Sequence, residues 1–184
     1  MTYQLPEFLH STGYLPPGWH PASLDSFRQR CVEEMPVEFK KGRHNSAHRE
    51  KLFHGYLKLR EALMLMGIPT EQWIGGSYAT WKPQPKDIDV VNFCDARAYE
   101  GLPAELQAMI NRYFMGPDTA AHCDCDSYLV SKAAPDHPCN GDYLIRFNYW
   151  KKLLGHDRQG RPKGLIGITI EAPHPPSASD EPVT

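Results

Sequence analysis

This chain predicts an α+β fold, a small mixed β-sheet of about four strands backed by helices. Three observations point there. Apolar, β-branched runs at about Gln72–Gly75, Asp87–Phe93, Cys125–Val130 and Leu165–Ile170 have the length and composition of strands. The residues Leu52, Tyr56, Leu59, Leu63 and Met66 recur at four- and three-residue steps, the spacing of one buried helix face. Further helical patterns lie between the later strand runs.

At 184 residues, the chain is read as one domain over residues 1–171 with an N-terminal arm, 1–22, and a disordered tail, 172–184. Hydrophobic residues at 41% and charged residues at 23% are ordinary for a folded protein in water. A net charge of −2 gives no support to broad DNA binding, which needs clustered Lys and Arg. Arg158, Arg161 and Lys163 still make a local basic surface. Five cysteines, unevenly spread, argue against a disulfide framework. Without a signal-peptide pattern or an apolar run near 18 residues, the expectation is a cytoplasmic protein with no membrane partner.

In order along the chain, residues 1–22 read as an extended arm held by Phe8, Leu9, Tyr14, Leu15 and Trp19, since so many aromatics do not suit a free tail. Ser23 caps a short helix in which Leu24, Phe27, Cys31 and Val32 share a face. Residues 37–45 are polar and basic and read as a loop. A helix over Ser46–Met66 follows and stops at Gly67. Its neighbouring histidines, His44, His48 and His54, complete no ligand spacing. Leu102-Pro103 opens another helix, with Pro103 at the first position and Leu106, Met109, Ile110 and Tyr113 as its stripe, and Gly116-Pro117 stops it. After a turn-rich segment, 133–141, the residues Tyr143, Phe147, Trp150 and Leu154 mark a helix closing at Gly155. The tail carries prolines with Ser, Asp and Glu.

The chemistry concentrates between Trp73 and Val91. A short apolar run ends in Gly75-Gly76-Ser77, a Pro/Lys-rich connection follows, and Asp87-Ile88-Asp89 enters a second apolar run. On a strand Asp87 and Asp89 project to one face, about 7 Å apart. Side-by-side carboxylates repel, and a divalent cation that prefers hard oxygen ligands, such as Mg²⁺, removes the conflict. The Gly-Gly-Ser turn offers unhindered N–H groups and a hydroxyl, which is what a phosphate requires. Lys82 and Lys86 are further candidates for phosphate contact, and Arg146, Lys151 and Lys152 for contact with nucleotide or acceptor.

Gly76-Ser77, nine intervening residues and then Asp87-Ile88-Asp89 in an apolar strand resembles the signature of the DNA polymerase beta-like nucleotidyltransferase superfamily. Leu15-Pro16-Pro17-Gly18 resembles the opening segment of its small bacterial and phage members. The resemblance implies that superfamily's core and a third carboxylate from a neighbouring strand, reached after a helix. Asp126 is favoured for it, with Asp124, two residues earlier, as the alternative. The implied activity is transfer of an NMP from an NTP to a hydroxyl, dependent on Mg²⁺ or Mn²⁺, with release of pyrophosphate. Asp87, Asp89 and Asp126 would be the catalytic, metal-holding residues, and Gly75, Gly76, Ser77, Lys82 and Lys86 would hold the nucleotide. A protein or RNA acceptor, a helical partner protein and a toxin–antitoxin or phage-defence setting are also implied.

Two competing readings remain at the level of sequence. His122, Cys123, Cys125, His137 and Cys139 offer soft ligands for a zinc module, although Cys-x-Cys departs from the common knuckle spacing. A catalytically silent member would bind a nucleotide or a partner protein as a regulator.

Overall fold

The computed structural model describes residues 3–39, 42–114 and 116–171; the expected tail lies outside them. The elements run β1 (Gly18–Pro21), α1 (Leu24–Arg28) with a wider helical turn over Gln29–Glu33, β2 (Glu38–Phe39), β3 (Gly42–Arg43), α2 (Ser46–Leu65), β4 (Thr70–Ile74), β5 (Ile88–Asp95), α3 (Ala96–Glu100), α4 (Ala104–Tyr113), α5 (Pro117–Cys123), β6 (Cys125–Lys132), α6 (Asn140–Leu154) and β7 (Gly164–Ile170). The main sheet is mixed, in the order β1-β7-β4-β5-β6. β4 is antiparallel to β5 and β7, while β5–β6 and β1–β7 are parallel pairs. The α+β expectation therefore holds.

The strand count does not. The sheet has five strands, because part of the expected arm becomes β1, with Trp19 opposite Leu165 and His20 opposite Ile166. Gly167 makes this possible, since a Cβ there would run into the Trp19 indole. The polar 37–45 loop contains the small hairpin β2–β3. Pro103 caps α4 from outside and does not occupy its first turn. Pro117, expected to end a helix, opens α5 instead, where its missing N–H costs nothing. Helix α3 is a further addition, capped by the Asp95 carboxylate, which accepts from the Ala98 N–H. In α4, Ile110 is buried but Met109 is exposed, and the Tyr113 side chain lies outside the described residues.

Side-chain alternation sorts the core into two layers. Ile88, Val90, Cys125, Leu129, Ile166 and Ile168 face α2 and its buried stripe Leu52, Tyr56, Leu59 and Leu63. Trp73, Val91, Phe93, Val130 and Leu165 face α6 through Phe147, Trp150 and Leu154. A buried polar chain crosses the α2 side of the sheet. The Tyr56 hydroxyl donates to Gln72 Oε1 (2.6 Å), Gln72 Nε2 to Asn92 Oδ1 (2.8 Å), and Asn92 Nδ2 to Ser127 Oγ (2.8 Å). A one-residue slip of β4, β5 or β6 would break this chain, so it fixes register as well as satisfying its own polar groups.

Arg49 in α2 is fully buried. Its Nη1 donates to the carbonyls of Cys31 (2.8 Å) and Tyr78 (2.9 Å), and its Nη2 to those of Thr80 (2.7 Å) and Lys82 (2.8 Å). The guanidinium also lies over the Tyr78 ring, 4.9 Å from its centroid. One side chain thus pins the segment that follows the Gly-Gly-Ser turn onto α2. Arg49→Lys keeps the charge but not the planar fork that reaches four carbonyls. It is expected to lower unfolding free energy by about 3 kcal/mol, read from the urea midpoint at unchanged slope.

Candidate functional site

The parallel pairing of β5 with β6 sets Asp89 directly opposite Asp126. Asp87 stands one residue ahead of β5, two before Asp89, so strand parity gives all three acids the α6 side of the sheet. Cys125, Ser127 and Leu129 alternate to the opposite, α2 side, where all three are buried. Asp124 takes a different course. Its φ of 52° ends α5 in a left-handed turn, and its carboxylate pairs with Lys51 of α2 at 3.3 Å.

The Gly-Gly-Ser turn is moulded around Asp89. Gly76 has φ of +63°, and a Cβ there would overlap the Asp89 carboxylate. Gly75 lies against Leu154 of α6 and donates its N–H to the Asp89 carbonyl (3.1 Å). The Ser77 backbone N–H hydrogen-bonds the Asp89 side chain. The turn and the acid therefore form one unit.

A cleft of about 880 Å³ opens over this unit, within the usual size range for small-ligand sites. Gly76, Ser77, Lys82, Lys86, Asp87 and Asp89 line one part of it, and Tyr14, His156, Asp157, Arg158 and Lys163 another. Gly75 and Asp126 are not among the lining residues; Asp126 stands on the next strand. Lys86 is almost fully exposed, with Nζ 4.0 Å from Asp87 Oδ2. Arg146, Lys151 and Lys152 lie on the exposed surface of α6.

Lys163 corrects the expected basic surface. Arg158 and Arg161 are exposed, but Lys163 is buried and donates from Nζ to the Gly76 carbonyl (2.7 Å). Burial lowers its pKa, against the opposing pull of Asp89 and Asp157. The sequence did carry a sign of this. Lys163 shares parity with Leu165, which packs toward α6, on the same side as Asp89. Asp157, at the foot of the same loop, accepts from Tyr14 Oη (2.9 Å) and Arg161 Nε (2.6 Å). Burial opposes ionisation there, but these bonds and the Arg161 and Gln159 N–H groups hold the carboxyl well below the ordinary range.

The two paired acids are shifted the other way. Burial, followed by the Asp87 charge, raises Asp89, while Lys163 partly offsets the shift. Burial also raises Asp126, against a hydrogen bond with Tyr128. Such carboxylates are costly to ionise and gain most from a cation.

The possible zinc ligands are divided by the fold. Cys125 is buried on the α2 side and Cys123 ends α5. His137 and Cys139 instead join Glu100, and their ligand atoms lie within 4.8 Å of one another; the three aspartates form no set that tight. His137 Nδ1 faces the Cys139 N–H at 3.2 Å, which assigns the ring proton to Nε2, 3.2 Å from Glu100 Oε2. Both ring nitrogens are then engaged, and the set reads as a Glu–His hydrogen bond beside a thiol.

Fold and site together define an α+β protein with an acidic, lysine-backed cleft at the end of a parallel strand pair. The chain belongs to a family of unknown function (DUF6932), whose model matches residues 6–169. No curated protein matches the chain, and no solved structure does. Among the described residues, no helix is long and apolar enough to cross a membrane.

A carboxyl whose folded pKa lies above its unfolded value costs stability once the pH passes that unfolded value. Asp89→Asn removes this cost. Calorimetry should show a melting temperature higher by about 2 °C at pH 7, the gain shrinking as the pH falls and vanishing below about pH 3, where the wild-type carboxyl is protonated in both states.

Proposed function

We propose that this protein is a metal-dependent nucleotidyltransferase that moves an NMP from an NTP to a hydroxyl of a protein or RNA acceptor. The observation that carries the reading is the register of Asp89 with Asp126, with Asp87 on the same side and the Gly-Gly-Ser turn wrapped around Asp89. Three hard oxygen donors, two of them raised by burial and mutual charge, suit Mg²⁺ or Mn²⁺. Held by Asp87, Asp89 and Asp126, such an ion would neutralise triphosphate charge and favour ionisation of the attacking hydroxyl.

The chain's own residues supply the rest. The Gly75 and Ser77 N–H groups are engaged by Asp89, so the turn offers the Ser77 hydroxyl at the cleft, and Lys163 holds the turn by its Gly76 carbonyl while placing a cation beneath the phosphates. Lys82, Lys86 and Arg158 add positive charge around the same opening. The acceptor oxygen forms a bond to the α-phosphorus, the α–β bridging P–O bond breaks, and pyrophosphate departs. Asp126, with its raised pKa, takes the proton that the acceptor oxygen loses. A toxin–antitoxin or phage-defence role belongs to the superfamily resemblance and rests on no feature of this cleft.

Incubation with each α-labelled NTP and Mg²⁺ or Mn²⁺, alone and in lysate, tests the reading. Label transfer should occur with the wild type and fall to background in Asp87→Asn, Asp89→Asn and Asp126→Asn. Transfer that persists in these variants refutes the site, and nucleotide binding without transfer identifies a silent regulator. Lys163→Met, folded by circular dichroism, should bind NTP about tenfold more weakly, because a charge-assisted contact and the turn's support are both lost.

A further inference from the structure

Helix α6 is apolar on more than its packed side. Tyr143, Phe147, Trp150 and Leu154 face the sheet. On the outer side Leu144 is 47% exposed, Ile145 70%, Tyr149 57% and Leu153 51%. Ile145, Tyr149 and Leu153 recur at four-residue steps and so form one continuous stripe. Exposed apolar stripes of this kind mark interaction surfaces.

The charges around the stripe state what covers it. Arg146 projects on one flank and Lys152 on the other, while Lys151 stands beside Leu144, as 3.6-residue periodicity places them. Arg158 follows just beyond the helix. None of these four is ion-paired among the described residues, and Asp142 is the one acid on the exposed part of the helix. A second copy docking α6 on α6 through a two-fold axis would set these cations against one another. Single-stranded RNA would suit the cations, but it binds through stacked aromatics, and three of the four exposed apolar residues are aliphatic.

We infer that the outer face of α6 is a docking surface for another protein, which presents an amphipathic helix with an apolar stripe and acidic flanks. Two helices pack by setting such rows of side chains, four residues apart, into one another's grooves, and complementary charge sets orientation and association rate. The stripe ends at Leu153, which also lines the cleft, so the bound helix lies beside the cleft mouth. Docking of this kind requires no nucleotidyl transfer, and its test is independent of activity.

The probe is a labelled synthetic amphipathic helix with leucine along one face and glutamate on both flanks. It is compared by fluorescence anisotropy with its lysine-flanked counterpart and with a labelled uridine oligonucleotide. The glutamate helix should bind at least about tenfold more tightly than the lysine helix and the oligonucleotide. Ile145→Ser/Tyr149→Ser and, separately, Arg146→Glu/Lys152→Glu should each weaken that binding at least about tenfold, with unchanged circular dichroism because all four positions are exposed. Three results would overturn the inference: equal binding of both helices, binding indifferent to these substitutions, or preference for the oligonucleotide. Sedimentation showing a dimer that Ile145→Ser/Tyr149→Ser dissolves would assign the face to a second copy and overturn it equally.

Discussion

A buried arginine with no carboxylate partner among the described residues organises this molecule. Arg49 places a fixed cation in the core and engages both its terminal nitrogens with four backbone carbonyls, three of them between Tyr78 and Lys82, while its buried Nε finds no partner. A buried charge left short of partners costs several kcal/mol, so the segment after the Gly-Gly-Ser turn has little freedom to move. That segment carries two prolines and no regular structure, and the hydrophobic effect alone would not fix it. The guanidinium gives the loop the definition that a strand ladder gives elsewhere.

From this constraint the cleft follows. With residues 78–82 pinned to α2, the turn at Gly75–Ser77 is held between that anchor and β4. Lys163 then fastens the turn from below through the Gly76 carbonyl. Asp89 fits into the space that Gly76 leaves, and pairing with β6 brings Asp126 alongside. The sheet thus gathers acids on one side at a cost in self-repulsion. The polar chain Tyr56–Gln72–Asn92–Ser127 on the opposite side keeps the strands in the register on which that alignment depends.

Much of this was legible in the sequence, for identifiable reasons. The β5 run and the α2 stripe are long and strongly periodic, and their elements lie within a residue or two of expectation. The cap at Ser23 and the stop at Gly67 are local chemistry and were equally readable. β1 was not, because its four residues include two turn formers and its pairing with β7 spans almost the whole chain. Arg49 was missed although it continues the stripe at the step before Leu52; charge suggested solvent, and only tertiary contacts reveal the carbonyls that hold it. Lys163 was grouped with two exposed arginines, and its parity with Leu165 was the sign that set it apart. Strand parity already puts Asp87 and Asp89 on one side; Asp126 was nominated by the superfamily resemblance, with Asp124 as the alternative, and only the pairing of β5 with β6 sets it opposite Asp89.

The most direct measurement is a crystal structure of the protein grown with Mn²⁺ and a non-hydrolysable NTP analogue, with anomalous diffraction recorded at the manganese edge. The account requires a manganese peak ligated by Asp87 and Asp89, within reach of Asp126, and phosphates lying on the Gly76–Ser77 turn above Lys163. Manganese and nucleotide bound away from these residues, or no nucleotide in the cleft at saturating concentration, would contradict it.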